Sequence, residues 1–273
     1  MMEREKVRLS GVAETTLATL YGKALASRSA DPVLVDRQAQ DAVGRLDYDF
    51  SRLGVSRSTA LGIALRSSYL DRWTREALSH HPDATVLHLG CGLDGRSQRV
   101  EPPPAVHWYD IDYPEVIELR RRLYPGRPGY HTVGGSVTEP QWLAHLPADR
   151  PGVVVAEGLV QYLTEAEVVS LLAAIVDRFP GGVIIFDAWS SLAMRLSRRR
   201  KVFRATGTGV GGWGIDDPLV IQSLVPGLRF DKQQTFLDMP EMVRFDWPTR
   251  LMVALTKRFP AAYNSGRLVR YSF

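Results

Sequence analysis

Cysteine is almost missing from this chain of 273 residues: Cys91 stands alone. No intrachain disulfide can form, and a metal site built from several thiolates is excluded. The six histidines show no ligand spacing either, so no metal is expected. No apolar run is long enough to cross a bilayer. The opening Met1-Met2-Glu3-Arg4-Glu5-Lys6 has no apolar stretch behind it and does not read as a secretory signal. There is no repeat at a fixed period and no low-complexity tract. Charge of one sign is not in large excess, with 34 Lys and Arg against 30 Asp and Glu. A mild positive balance can steer an anionic substrate. It lacks the wide basic stripe with aromatic platforms that nucleic acid requires. The one dense basic run, Arg198 to Lys201, reads as a solvated helix end. These absences point to a soluble cytoplasmic protein with neither a membrane nor a nucleic acid as partner.

What is present is a core and a pattern. Hydrophobic residues make up 45% of the chain, enough for one large α/β domain. Up to about Pro82 the pattern is helical. Leu17, Leu20, Tyr21, Ala24 and Leu25 recur at helical spacing, and a second helix is predicted over Ala60 to Leu78. Asp31-Pro32 separates the two. Beyond Pro82 come short apolar runs bounded by turn residues: Thr85 to Leu89, Ala105 to Tyr109, Pro151 to Ala156 and Gly182 to Phe186. Helical stretches alternate with them, at Glu115 to Leu123, Ala166 to Phe179 and Leu192 to Arg200. Thr164-Glu165-Ala166-Glu167 has the form of a capping box. Such alternation predicts βαβ units and a parallel sheet covered on both faces. Leu228 to Phe236 and Leu268 to Phe273 predict an antiparallel pair closing one edge. The domains expected are a helical cap over 1–82 and a core over 83–273, with a Gly-rich insertion at about 201–218.

The chemistry begins at His88-Leu89-Gly90-Cys91-Gly92-Leu93-Asp94-Gly95. A strand runs into two glycines, which let a ligand approach the backbone closely. In a doubly wound sheet this turn lies outside the carboxyl end of a central strand, where nucleotides bind. The next strand ends in Asp110-Ile111-Asp112. One of these acids can accept both ribose hydroxyls of a nucleoside while the other caps the helix opening near Pro114. A pyrophosphate-binding turn would carry a third glycine opening a long helix. Here Asp94 follows closely instead, which suits a ligand with a cationic amino-acid end. The balance moves from a nicotinamide dinucleotide toward S-adenosylmethionine. Glu157 at the end of a later strand faces the same crevice and needs a partner there, either a ligand or an Arg. Cys91, between the glycines, reads as a small filler of the cofactor turn rather than a nucleophile.

Four pieces stand in order: Arg66-Ser67-Ser68-Tyr69-Leu70-Asp71, Gly92-Leu93-Asp94-Gly95-Arg96, Asp110-Ile111-Asp112-Tyr113-Pro114-Glu115-Val116-Ile117, and Ala156-Glu157-Gly158-Leu159-Val160-Gln161-Tyr162-Leu163. Together they resemble the leucine carboxyl methyltransferase family, and more closely its bacterial branch of polyketide O-methyltransferases. The resemblance implies a class I, Rossmann-like methyltransferase fold with a seven-stranded, mostly parallel sheet, an antiparallel edge strand and an N-terminal helical cap. It implies S-adenosylmethionine as cofactor. It also implies that Arg66 pairs with the methionine carboxylate, that Gly90 and Gly92 line the methionine and ribose, that Asp112 holds the ribose, and that Glu157 lies near the amino group. Ser136 and Val137 stand where the family has an acidic residue and a Leu near the adenine, and Gly95 where it usually has Thr.

The reaction expected is methyl transfer to an oxygen of a small-molecule acceptor, a carboxylate or a hydroxyl. A carboxylate is ionised at neutral pH and needs no general base, whereas a phenol or alcohol does. Tyr21, Tyr162, Trp189 and Trp213 are candidates for the acceptor pocket, Tyr21 for its place on the cap and Trp213 for its place in the insertion. Rival readings are methylation of a protein's C-terminal carboxylate, a nicotinamide oxidoreductase, and a non-catalytic cofactor-binding domain.

Overall fold

The structure, a computed structural model, describes residues 4–7, 9, 11–197 and 212–273. Three helices precede the sheet: α1 (Thr15–Ala26), α2 (Arg37–Arg45) and α3 (Arg57–His80). Asp36 caps α2 by accepting the Ala39 N–H at 2.8 Å, and Ser56 caps α3 by accepting that of Thr59 at 3.1 Å. A two-residue parallel pair, β1 (Glu5–Lys6) with β2 (Leu46–Asp47), ties the N-terminal segment to the end of α2.

The main sheet has seven strands: β3 (Thr85–Leu89), β4 (His107–Asp112), β5 (Tyr130–Gly134), β6 (Gly152–Ala156), β7 (Gly182–Trp189), β8 (Arg229–Thr235) and β9 (Gly266–Ser272). Their order is β5-β4-β3-β6-β7-β9-β8. The first five are parallel, β9 runs antiparallel to β7, and β8 antiparallel to β9. The chain leaves β3 for β4 on one side and later returns to β6 on the other. The crevice at the carboxyl end of β3 is therefore the topological switch point, where open α/β sheets bind ligands.

Alternation along the strands builds two core layers. Leu87, Leu89, Val154, Ile184 and Phe186 face one side, packed on Val168, Leu171 and Ile175 of α6 (Glu165–Arg178). Val86, Val153, Val155 and Ile185 face the other, packed on Leu65, Leu70 and Trp73 of α3. A third cluster joins Leu17, Leu20, Ala39 and Leu53 of the N-terminal region to Leu119 and Leu123 of α5 (Pro114–Leu123). The capping box forms as the sequence predicts, with Glu167 accepting the Thr164 N–H at 2.7 Å and Thr164 accepting that of Glu167 at 3.3 Å.

Several elements differ from expectation. The second strand begins at His107, because Val106 N–H turns back to Pro103 O, and it runs on through both acids to Asp112. β5 carries no strong apolar alternation and its side chains are half-buried or exposed, so the sequence does not announce it. The short α4 (Arg96–Val100) and α2 went unread for want of an apolar stripe. After α7 (Ser191–Ser197) and α8 (Leu219–Leu224), the stretch between β8 and β9 holds α9 (Trp247–Thr256) and α10 (Pro260–Tyr263). The basic run 198–201 and most of the Gly-rich insertion lie outside the described residues. Among the described residues no helix is long and apolar enough to cross a membrane.

Candidate active site

The turn after β3 is held by groups from several elements of the protein. Gly90 and Gly92 take φ of +58° and +51°, the left-handed region that a side chain disfavours. Asp112 accepts the Gly92 N–H at 2.7 Å, and Thr16 of α1 accepts the Leu93 N–H at 2.8 Å. Arg120 donates to Gly92 O at 3.0 Å and to Asp94 O at 2.7 Å, while the Tyr124 hydroxyl donates to Leu93 O at 2.6 Å. Gly95 is also tightly packed: a Cβ there would touch Gln38 and the Asp36 carboxylate. The missing side chain at Gly95 lets the start of α2 approach the turn.

The two acids of β4 divide their work differently from the expectation. Asp110 is fully buried. It takes His88 Nδ1 at 2.8 Å, the Trp108 indole N–H at 2.9 Å, the Tyr130 hydroxyl at 2.5 Å and the Arg120 guanidinium. Burial alone would raise its carboxyl, but Arg120 and His88 override this and hold it below the ordinary value. Asp110 is thus spent on the core and caps no helix. Asp112 accepts the N–H of Gly92 and, at 2.7 Å, that of Tyr113, and it lines the cavity. Burial pushes its carboxyl above the usual range.

A buried ion network joins the helical cap to the turn. Asp94 pairs with Lys23 of α1 at 2.9 Å, with Arg99 at 2.6 Å and with Arg96 at 3.2 Å. Arg99 also reaches Asp36 at 2.5 Å and holds Asp71 of α3 with two nitrogens, at 2.7 and 3.1 Å. Glu157, at the end of β6, accepts from Ser67 at 2.8 Å and pairs with Arg66 at 3.1 Å, Lys23 at 3.6 Å and Arg96. Burial would raise the carboxyls of Asp94 and Glu157; the cations around them reverse that and depress both. Arg66 is held at its other edge by Asp187 at 3.0 Å, and Asp187 also accepts the Gly158 N–H at 2.6 Å.

One cavity of about 1020 Å³ opens onto these residues. That is at the upper end of small-molecule sites, roughly 300–1,000 Å³, so it has room for two small molecules side by side. Gly90, Cys91, Gly92, Asp94, Asp112, Val137, Arg66 and Glu157 all line it. Cys91 is buried and its thiol pushed well up by desolvation, which suits a filler and not a nucleophile. Ser136 turns its hydroxyl to Thr138 at 2.7 Å, and Thr138 rather than Ser136 joins the wall. Tyr162 and Trp189 also line the cavity, with Ile63, Leu159, Leu237 and Met252. Tyr21 and Trp213 do not. Tyr21 stacks on Phe50, centroids 5.1 Å apart, against the third cluster, and Trp213 packs on the α6 side of the core.

Sequence reasoning missed Thr16, Lys23, Arg96, Arg99 and Asp187. Thr16, Lys23 and Asp187 meet partners remote in the chain, and Arg96 and Arg99 reach Asp71 of α3 as well as the nearby Asp94, so spacing carries little sign of them. Asp187 alone left a trace, as an acid just past the run Gly182 to Phe186.

Comparison with known proteins follows this geometry. Residues 16–176 match the leucine carboxyl methyltransferase family. The chain is 43% identical over 269 residues to the tetracenomycin polyketide synthesis O-methyltransferase TcmP of Streptomyces glaucescens, covering 98% of this chain and 99% of that protein. It is 34% identical to the S-adenosyl-L-methionine-dependent methyltransferase dpfgK of Gibberella zeae, covering 100% and 98%. The chain belongs to the leucine carboxyl methyltransferase family. That membership sets aside the nicotinamide reading. The fold of this family member is shared with a methyltransferase-type crystal structure from Thermobifida fusca, with a TM-score of 0.61 at 15% identity over 96% of this chain and 94% of that one. It is also similar to the N-methyltransferase NodS of Bradyrhizobium japonicum in complex with S-adenosyl-L-homocysteine, with a TM-score of 0.50 at 13% identity over 94% and 98%.

Proposed function

We propose that this chain is an S-adenosylmethionine-dependent O-methyltransferase that esterifies the carboxylate of a small, largely apolar molecule in the cytoplasm. The observation that carries the carboxylate is the absence of a base. Among the described residues lining the acceptor side, the one carboxylate, Glu167, is locked in the capping box of α6. The Tyr162 phenol is pushed up by burial and is a poor base at neutral pH. Among the described residues on that side, a hydroxyl acceptor would find no group set to take its proton. An acceptor already ionised needs none.

The residues fit the cofactor. Among the described residues the Asp112 carboxylate accepts from two backbone N–H groups, which leaves lone pairs for the two hydroxyls of a ribose. Val137 gives an apolar wall for the adenine, and Gly90 keeps the backbone open to the ligand, a Cβ there meeting Leu159. Arg66 lines the cavity, braced by Glu157 and Asp187, which supports its reading as the partner of the methionine carboxylate. When bound, S-adenosylmethionine supplies a methyl group already activated by its sulfonium. The protein's part is to align the acceptor oxygen and exclude water, which supplies most of the acceleration such a reaction needs. The cap of α1–α3, read as 1–82, provides the exclusion, and the likeness to TcmP, a polyketide synthesis O-methyltransferase, supports a polyketide-like acceptor.

The test pairs an aromatic polyketide carboxylic acid with its phenolic analogue lacking the acid. Mass spectrometry should find a base-labile methyl ester on the first and nothing on the second. Methylation of the phenol alone would overturn the carboxylate assignment.

A further inference from the structure

The helix α9 is amphipathic in reverse. Val253 is its one buried side chain, whereas Trp247, Leu251, Met252 and Leu255, with Val243 before the helix and Phe259 after it, are 49% to 69% exposed. Val243, Trp247, Leu251, Leu255 and Phe259 recur every four residues and so form one ridge. Ridges of that spacing are the ones that pack most often between helices. A helix of ten residues is marginal in water on its own. Val253 and an exposed ion pair of Lys257 with Asp238, at 2.8 Å, anchor it only modestly. Scaled by their exposure, the six side chains leave roughly 700 Å² in water, where each partner of a stable complex buries about 800 Å². An apolar patch of that size marks an interaction surface.

Symmetry and charge say what fits there. The ridge has its midpoint at Leu251. A second copy laid antiparallel about a two-fold axis at Leu251 matches the ridge to itself, Val243 opposite the partner's Phe259 and Trp247 opposite the partner's Leu255. Asp246 caps the N-terminal end of α9, and Arg258 follows its C-terminal end. Among the described residues Asp246 pairs with no cation and Arg258 with no carboxylate. The antiparallel arrangement brings Asp246 to within two residues of the level of the partner's Arg258, about 3 Å along the helix axis. The two helix dipoles then also oppose each other. An anionic surface would instead meet Asp246 with like charge.

We propose that this chain forms a homodimer through α9, and that the second copy walls the mouth of the cavity. Thr249 and Met252 of α9 and Leu196 of α7 line the cavity, and Met252 and Leu196 are also exposed, so the ridge borders the opening. This opening lies on the β7 side, because α7 follows β7, three strands across the sheet from β4 and its Asp112. A nucleoside held at Asp112 leaves that end to the acceptor, a step that rests on the methyltransferase reading above.

The first test needs no ligand. Light scattering on the whole protein at micromolar concentration should give twice the 30.5 kDa of one chain. L251E should give the single-chain mass and stay folded, since Leu251 is exposed within one chain. R258E sets two symmetric contacts against Asp246 and should raise the dissociation constant by roughly tenfold. L251C should join to its own copy through a short bismaleimide, the native thiol of Cys91 being buried. The second test reads the site: L251E should raise the acceptor KM several-fold and leave S-adenosylhomocysteine affinity unchanged. A native protein of single-chain mass, or a dimer that L251E leaves intact, overturns the proposal. So does a monomer that anionic lipid vesicles capture and L251E releases, which gives the face to a membrane. A dimer lost in L251E with an unaltered acceptor KM overturns the wall at the mouth. If the native dimer methylates no polyketide-like acid, the acceptor reading fails, while the measured mass still decides the dimer.

Discussion

The Thr16 hydroxyl fills the space that a Cβ on residue 92 would occupy, and from there it accepts the Leu93 N–H at 2.8 Å. Gly92 is therefore bare because the cap occupies the place of its side chain. G92A must distort the turn or displace Thr16, and it also places a side chain at positive φ, so it should cost about 1–3 kcal/mol. Because the two residues touch, their effects will not add. T16A in the G92A background should return part of the lost melting temperature. Strict additivity in thermal melts would show that the contact is not the cause.

Asp112 offers its carboxylate to the cavity, and among the described residues its hydrogen-bond donors are backbone N–H groups. D112A should weaken S-adenosylhomocysteine binding by about 1–3 kcal/mol, the cost of losing hydrogen bonds to a charged group. Calorimetry that finds unchanged affinity would take Asp112 out of the site.

Tyr21 and Tyr162 separate packing from binding. Y21L removes a ring stacked on Phe50 and should lower the melting temperature while leaving the acceptor KM alone. Y162L alters the cavity wall and should raise the acceptor KM. A Y21L variant with native stability and a raised KM would reverse these placements.

Acid should destabilise the fold through the buried carboxylates. Asp94, Asp110 and Glu157 all have carboxyls depressed in the native state. Groups of that kind contribute stability that is present above their unfolded values, about 4, and is lost as pH falls through that range toward their lower native values. Asp112, raised by burial, works in the opposite direction, but it is one group against three. Urea midpoints should therefore fall steadily from pH 6 to about pH 3. E157Q should be less stable at neutral pH and show a shallower decline. A midpoint that rises on acidification contradicts the network.

Much of the fold was legible because its residues announce themselves locally. Thr85 to Leu89 is a β-branched apolar run ending at a glycine, and β3 has those bounds. The capping box at Thr164 and the two antiparallel edge strands were legible for the same reason. β5 was not, since half-buried polar residues at an edge leave no alternation. In the site, the glycine turn and Asp112 could be read because a strand end is visible in sequence. The partners of Asp94 and Glu157 could not. Lys23 looks like any helix-surface lysine, and only folding brings it 2.9 Å from a carboxylate 71 positions away. Tyr21 misled because an aromatic on a helical cap looks the same whether it faces a ligand or Phe50.

Arg99 gathers Asp36, Asp71 and Asp94, which belong to three stretches of backbone far apart along the chain. Stripping water from any one of these charges is unfavourable until the other participants have arrived. The amino-terminal helices therefore have no cheap way to lift off while the sheet stays intact. Heating should yield a single calorimetric peak, with van't Hoff and measured enthalpies in agreement. Access for ligands then has to come from smaller motions at the cavity mouth.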